Sequence, residues 1–200
     1  MRPVRRWRPD PSPPRDARAS RRQRLPSWLV LAVVGVVAWA YSQWNKSPPD
    51  TAPATGDVIA GTARVTDGDS LSVGNMRVRL FGIDAPEGRQ LCKDAAGQDY
   101  TCGLAAREAL AGLTGDRLVS CAPAEGPSYD RVVAVCTVDD ANNGKVDLSE
   151  AMVRAGRAIE LKAHSKGRYA AAERAAREAQ RGLWAGTFER PSQWRQRNGR

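Results

Sequence analysis

The stretch from Val65 to Glu87, VTDGDSLSVGNMRVRLFGIDAPE, constrains the fold more than any other part of the chain. Its apolar and polar residues alternate, and the pairs Asp67-Gly68 and Gly74-Asn75 supply turn chemistry between the alternating runs, a pattern typical of antiparallel strands. These 23 residues also hold four carboxylates and two arginines. So dense a set of charges on short strands indicates a region that has a chemical role besides folding.

The rest of the folded part also shows patterns typical of strands and helices. Three strands come first, followed by a helix, two strands and two helices, an order that predicts a mainly β, α+β domain with a small Greek-key barrel of the OB class. We therefore expect a five-stranded OB-fold barrel with about three helices. The expected strands are 57–73 (two arms), 76–84, 117–124 and 130–139, and the expected helices are 102–113, 147–156 and 167–182.

The first 56 residues have a different composition from the domain. Residues 1–27 carry nine arginines against two aspartates and are predicted to be a disordered cytoplasmic arm. Residues 28–44 contain a charge-free run flanked by aromatic residues, which predicts a single transmembrane or signal-anchor helix. Residues 45–56 form a Pro-rich linker. The arginines before the apolar run predict that everything after it lies in the periplasm or extracellular space, anchored to the membrane; the alternative is secretion after cleavage at the A-x-A-like sequence of residues 38–40.

The net charge of +9 does not by itself indicate a nucleic-acid binder, because the charge lies in the tails. Besides the N-terminal arm, residues 190–200 form a basic C-terminal tail with four arginines. Residues 28–189 hold 18 Lys and Arg against 20 Asp and Glu. The folded domain, expected at 57–189, must therefore owe any affinity for nucleic acid to a local site.

All four cysteines lie in the part predicted to be exported. An even number in an oxidising compartment indicates two disulfides, for which three pairings exist. We favour Cys92 with Cys102, closing a loop, and Cys121 with Cys136, across neighbouring strands. The cysteine spacing contains no C-x₂-C pair and the single histidine is remote, which argues against a zinc site.

Two of the carboxylates, Asp69 and Asp84, fall near the ends of strands that pair in the expected hairpin. Side chains there can approach within a few ångströms, and two unpaired carboxylates so close would repel each other and raise their pKa values. A divalent cation removes that repulsion. With oxygen ligands and no Cys or His, the pattern favours a hard ion such as Ca²⁺ or Mg²⁺.

Three motifs in this order resemble the staphylococcal nuclease (thermonuclease) family. They are the D-G-D-S turn at residues 67–70, the segment R-L-F-G-I-D-A-P-E at 79–87, and Y-D-R-V-V-A at 129–134. The stretch after the expected barrel, 148–159, is also similar to the family. The resemblance covers roughly residues 58–184.

The resemblance implies a role for each matching position. Asp69, Asp84 and the backbone carbonyl of Ala85, where the family commonly has Thr, would bind Ca²⁺. Glu87 would orient or deprotonate the attacking water.

On the same resemblance, Arg79 and Arg131 would hold the scissile phosphate from two sides, since planar guanidinium groups match phosphate oxygens bidentately. Tyr129 would lie beside the substrate. After the barrel, where the family often places tyrosines that stack on a nucleotide, this chain instead has LKAHSKGRY at 161–169.

The resulting expectation is a metal-dependent phosphodiester hydrolase, a Ca²⁺-dependent nuclease acting on single-stranded or unpaired DNA or RNA outside the cytoplasm. Its membrane contact would be residues 28–44, and no obligate protein partner is evident. The alternative is a nuclease-like module that binds nucleic acid or a protein partner without cleaving it.

Overall fold

A computed structural model describes residues 57–141 and 144–199 of the chain. The predicted arm, membrane or signal segment and linker of residues 1–56 lie outside the described residues. Within the described ranges, no helix combines the length and the apolar character needed to cross a bilayer.

The described residues form ten strands, five α-helices and one 3₁₀ turn. The strands are β1 (Ile59–Asp67), β2 (Ser70–Val73), β3 (Met76–Leu80), β4 (Ile83–Asp84), β5 (Leu91–Lys93), β6 (Asp99–Thr101), β7 (Leu118–Pro123), β8 (Val132–Asp140), β9 (Gly144–Asp147) and β10 (Ile159–Glu160). The helices are α1 (Cys102–Thr114), α2 (Leu148–Arg154), α3 (Lys162–Ser165), α4 (Ala170–Glu178) and α5 (Pro191–Asn198), and the 3₁₀ turn is Gly182–Ala185.

Five of these strands close into a barrel. Strands β3, β2, β1, β7 and β8 are neighbours in that order through antiparallel pairing, and β8 also pairs with β3 in parallel, which closes the ring. Strand β9 extends the sheet beyond β8. The inward-facing residues, such as Leu71, Val78, Val119 and Val138, are fully or almost fully buried and form one core with the helices. The five-stranded barrel with helices agrees with the predicted OB-fold class.

The predicted strand 76–84 is divided in two by Gly82. This residue has a φ of 73°, a left-handed conformation that favours glycine, and a Cβ there would lie 2.9 Å from the Cβ of Ser165. The chain therefore leaves the barrel after Leu80, and the short strand β4 pairs instead with β10. This break takes Asp84 out of the barrel sheet.

The prediction of about three helices was too low. The three predicted helices are present as α1, α2 and α4, and the carboxylate of Asp147 caps α2 by accepting hydrogen bonds from the amides of Ser149 and Glu150. The additional helices, α3 and α5, have four and eight residues. Both are too short and too polar to produce an apolar periodicity in the sequence.

Both favoured disulfides are present in the structure. Cys121 and Cys136 lie directly opposite each other on β7 and β8, at a Cα–Cα distance of 4.0 Å. Cys92 on β5 joins Cys102 at the start of α1, at 5.6 Å. The second bond fixes the β5–β6 hairpin against α1 and beside a small apolar cluster that includes Ile159 and Leu183.

Candidate active site

Three carboxylates line one end of the barrel, each placed there by a different piece of local structure. Asp69 lies in the turn between β1 and β2, Asp84 ends β4, and Glu87 follows Pro86 in the loop after β4. Their exposed fractions are 6%, 0% and 9% respectively. Buried carboxylates require charged partners or hydrogen bonds, so their partners define what the site can do.

Arg79 brings two of these carboxylates together. Its Nη2 lies 2.8 Å from Oδ2 of Asp69 and 3.2 Å from Oδ1 of Asp84. One nitrogen thus bridges both groups, so the two carboxylates lie close together. Arg77, two residues earlier on the same strand, is instead exposed and pairs with Asp130.

Arg131 reaches the same site from the start of β8. Its Nη1 donates a hydrogen bond of 3.0 Å to Oγ of Ser70, and Ser70 in turn donates one of 2.8 Å to Oδ1 of Asp69. The two arginines are on neighbouring strands because Arg79 lies opposite Val133 in the parallel pairing of β3 with β8. Sequence positions 52 residues apart therefore form one cationic pair.

Tyr129 lies in a tight turn just before Arg131. Ser128 and Arg131 exchange backbone hydrogen bonds across this turn, and Tyr129 has a φ of 58°, which is uncommon for a residue with a side chain. The ring is 95% exposed at the edge of the cleft. It is thus placed where an aromatic ring can stack on a ligand rather than on the protein.

A third arginine, which the sequence did not single out, enters the site from α5. Nη1 of Arg195 lies 2.9 Å from Oδ1 of Asp84 and 2.8 Å from Oε1 of Glu87, and Nη2 lies 3.2 Å from Oδ2 of Asp84. The guanidinium thus binds Asp84 through two nitrogens and joins it to Glu87. The one sequence signal was Pro191, which is favourable at the first position of a helix and could have indicated α5.

The pKa values follow from this arrangement. Burial raises the pKa of Asp84 above its ordinary value; the hydrogen bond and charge of Arg195 offset part of the increase, Asp69 adds to it, and Arg79 lowers it. For Arg195, burial alone would lower the pKa, but the bonds to Asp84 and Glu87 outweigh it and raise the pKa. Asp84 is therefore a carboxylate whose ionised form depends on nearby positive charge.

Arg79, Arg131 and Arg195 line a cleft of about 1020 Å³, whereas Asp69, Asp84 and Glu87 are not among the residues that line it. The turn that carries Tyr129 also lines it. At the rim, Nδ1 of His164 lies 3.1 Å from Oε2 of Glu125. Four arginines and two carboxylates line the cleft, so its lining carries net positive charge.

The two aspartates are the groups of this site that could bind a divalent cation. Within residues 57–141 and 144–199, no group of three or more His, Cys, Asp and Glu side chains is arranged to hold a metal ion. Asp69 and Asp84 do converge on one nitrogen of Arg79, and both offer oxygen, the ligand that Ca²⁺ and Mg²⁺ prefer. The two aspartates fit a hard cation if other ligands come from the backbone or water, and Ala85, which is 4% exposed, follows directly after Asp84.

The closed five-stranded barrel with its packed helices defines a domain with a nuclease-like OB fold. The model of the staphylococcal nuclease homologue family matches residues 77–186, and the chain belongs to that family. This confirms the resemblance carried by the three motifs. Members of the family are typically nucleases that bind nucleic acid and depend on Ca²⁺ in general.

A curated relative is the succinoglycan biosynthesis protein ExoI of Rhizobium meliloti (strain 1021). It is 37% identical over 127 residues, which cover 63% of this chain. The match spans 64% of ExoI, so a substantial part of that protein has no counterpart in the alignment.

Proposed function

We propose that this protein is a Ca²⁺-dependent nuclease that hydrolyses phosphodiester bonds in DNA or RNA. The observation that carries the proposal is that Asp69, Asp84, Glu87, Arg79 and Arg131 form one connected cluster, through Ser70 and Arg195, and that its arginines line one cleft. Five side chains from three separate motifs need not meet unless they serve a common ligand. A phosphate with a cation beside it satisfies both the positive and the negative groups.

Arg79 and Arg131 supply the grip on the scissile phosphate. Their guanidinium groups come from adjacent strands, so the barrel fixes their separation before substrate arrives. Negative charge on the phosphate oxygens increases along the reaction, and fixed cations therefore stabilise the transition state more than the bound substrate. Removal of one such donor typically slows an enzyme by about 10² to 10³.

Glu87 is the group proposed to orient and deprotonate the attacking water. Its backbone is held by Gln90, whose side-chain Oε1 accepts from the Glu87 amide at 3.3 Å while the Gln90 amide donates to the Glu87 carbonyl at 2.7 Å. The side chain is 11% exposed and contacts Arg195, which lines the cleft. A base so placed contributes about 10² to 10⁴ in rate.

Asp69 and Asp84 would hold the cation, with the carbonyl of Ala85 as a further oxygen ligand. When bound, a divalent ion there would neutralise charge on the phosphate and polarise it for attack. The side chain of Ala85 plays no part in such a bond, so the absence of the family's usual threonine hydroxyl leaves the ligand oxygen itself unchanged.

We further propose that the enzyme acts outside the cytoplasm, anchored through residues 28–44. Support comes from the two disulfides, which persist in oxidising compartments. The alternative is secretion after cleavage of the apolar segment. Nucleic acid with unpaired bases is the proposed substrate class, because the exposed ring of Tyr129 offers a stacking surface that only an unpaired base can reach.

The test is an assay of the full chain, purified in detergent, on labelled single-stranded DNA and RNA with either Ca²⁺ or a chelator. Cleavage should require the metal and fall by at least about 10² in Glu87→Gln. Glu178→Gln, at an exposed carboxylate on α4, is the matched control and should retain full activity.

The second candidate function is a module that binds without cleaving. It is favoured by Arg195, which occupies Asp84 and Glu87, and by the name of the ExoI relative, which describes biosynthesis rather than nucleic-acid cleavage. Chelator-insensitive binding of the same oligonucleotides with no products would establish this alternative and refute the nuclease.

A further inference from the structure

The contact between α5 and the carboxylates has a consequence for metal binding. We propose that Arg195 is an internal competitor of the divalent cation, so that α5 holds the site closed when the cation is absent and leaves Asp84 and Glu87 when it binds. The inference rests on the proposed function, since it assumes that Asp84 is a cation ligand.

Arginines already occupy the carboxylate oxygens of Asp84. Oδ1 of Asp84 already accepts from both Arg79 and Arg195, and Oδ2 accepts from Arg195. Calcium requires carboxylate oxygens at about 2.3–2.6 Å with their lone pairs directed at the ion. Arg195, at 2.9 and 3.2 Å, uses one lone-pair site on each oxygen, and with Arg79 three of the carboxylate's roughly four sites are occupied by arginines.

The positive charges of Arg195 and of the cation also oppose each other. Arg195 gives Asp84 and Glu87 a single positive charge in place of the two that a divalent ion would bring. Two cations drawn to the same carboxylate repel each other strongly in a site of low exposure. The guanidinium must therefore move away from Asp84, at least in part, when the ion binds.

Contacts in the segment before its first residue hold α5 at the site. The backbones of Lys93 and Thr187 exchange hydrogen bonds, and Nε2 of the fully buried Gln90 donates to the carbonyl of Glu189 at 2.7 Å. These contacts lead the chain from the disulfide-linked hairpin to Pro191, where α5 begins. Gln90 also holds the backbone of Glu87, so one side chain aligns both the proposed base and the segment that covers it.

Beyond its first residue, α5 is able to move away from the carboxylates. Within the helix only Pro191, its first residue, is buried, and the guanidinium of Arg195 is what ties the remainder to the carboxylates. The Arg195 side chain is still 24% exposed, on the cleft side. Pro191 and the anchoring contacts before it provide a fixed end about which the helix can swing.

The experiment is a calorimetric titration of Ca²⁺ into the full chain in detergent, without nucleic acid. Arg195→Gln should bind Ca²⁺ at least about tenfold more tightly than the wild type, since a charge-assisted contact no longer has to be broken. Arg195→Lys, which keeps one charge but loses the two-nitrogen contact, should fall between the two.

The matched control is Arg197→Gln. This residue lies on the same helix, two positions further on, and pairs with Glu189, with 68% of its side chain exposed. Its substitution removes the same charge without touching Asp84 or Glu87, so its Ca²⁺ affinity should equal that of the wild type. Thermal unfolding in chelator checks that each variant is folded.

A second readout follows α5 itself. Trp194 precedes Arg195, so Ca²⁺ should change the tryptophan emission of the wild type, and Trp194→Phe should lose most of that change. In Arg195→Gln the emission should already resemble the Ca²⁺-bound state before any ion is added.

The outcomes separate this inference from the proposed function. If wild type and Arg195→Gln bind Ca²⁺ equally well, or the variant binds more weakly, Arg195 does not compete and the inference alone falls. If neither protein binds Ca²⁺, Asp69 and Asp84 are not a cation site, and both proposals are overturned.

Discussion

Gly103, at the start of α1, rests directly on the backbone that carries the proposed base. A Cβ at this position would lie 1.8 Å from the carbonyl oxygen of Glu87, 2.4 Å from its carbonyl carbon and 2.8 Å from the Cα of Gly88. The obstacle is main chain, which cannot rotate away as a side chain could. We predict that Gly103→Ala displaces Glu87 and thereby damages catalysis.

The size of the effect follows from the distances. The van der Waals contact distance between non-bonded carbon atoms is about 3.5 Å. To accommodate the new Cβ, α1 and the Glu87 loop must therefore separate by more than about 1 Å. Misplacement of a catalytic group by about 1 Å costs on the order of 10² in rate. Overpacking costs about 1–3 kcal/mol of stability, of which the better helix propensity of alanine recovers part.

The assay measures kcat and KM for Ca²⁺-dependent cleavage of a single-stranded oligonucleotide, with urea unfolding of the same preparations. Gly112→Ala is the control, since Gly112 lies in the same helix with nothing within 4 Å of a Cβ. It should gain about 0.5–1 kcal/mol of stability and keep its activity. A Gly103→Ala protein with wild-type kcat would refute the claim that this contact positions Glu87.

Three further predictions concern the phosphate grip, a disulfide and a buried tyrosine. Arg131→Ala should lower kcat by at least about 10² in the cleavage assay, because it removes a cation from the developing phosphate charge; equal loss in an exposed-arginine variant would contradict this. Replacing both Cys121 and Cys136 by alanine should cost about 3 kcal/mol in guanidinium unfolding, and a reducing agent should then have no further effect attributable to that bond. Burial, with the charge of Asp147, raises the pKa of Tyr169 from 10.0 to about 12, so the unfolded chain loses its proton first and stability falls as pH rises from 10 to 12. Tyr169→Phe should reduce the loss between pH 9 and pH 11 by roughly 1 kcal/mol, and an unchanged loss would contradict the assignment.

The barrel could be predicted because its determinants are local. Alternation, turn residues and the order of elements are all readable along the chain, and so is the pairing of Cys121 with Cys136 once their strands are expected to be neighbours. The division of strand 76–84 was missed because the sequence RLFGID remains apolar across Gly82. What separates β3 from β4 is the close approach of Ser165 and Tyr169, which no local pattern reveals.

The alternation pattern could not show which of Arg77 and Arg79 belongs to the site. Alternation puts both on the same side of β3, and the family resemblance alone distinguished them. In the structure Arg79 meets Asp69 and Asp84, whereas Arg77 lies at the exposed end and pairs with Asp130. The difference arises from distance to the barrel end, which depends on the three-dimensional pairing of β3 with β8.

Arg195 could not be found from the sequence for a related reason. It belongs to a run of polar residues that is typical of a solvated tail, and its partners precede it by 111 and 108 positions. Contacts of that separation depend on the path of the whole chain. In this chain that path is set by the Cys92–Cys102 hairpin and Gln90, neither of which signals a link to the C-terminus.

The parallel pairing of β3 with β8 closes the barrel and also sets Arg79 beside the base of Arg131. On the proposed function, a polypeptide that ends between residues 88 and 130 would carry both aspartates and the glutamate but only Arg79 of the two phosphate-binding arginines. Such a fragment, whether a nascent product or a piece left by proteolysis, would hold a phosphate from one side only. Closure of the ring is therefore the folding step on which the proposed phosphate site depends.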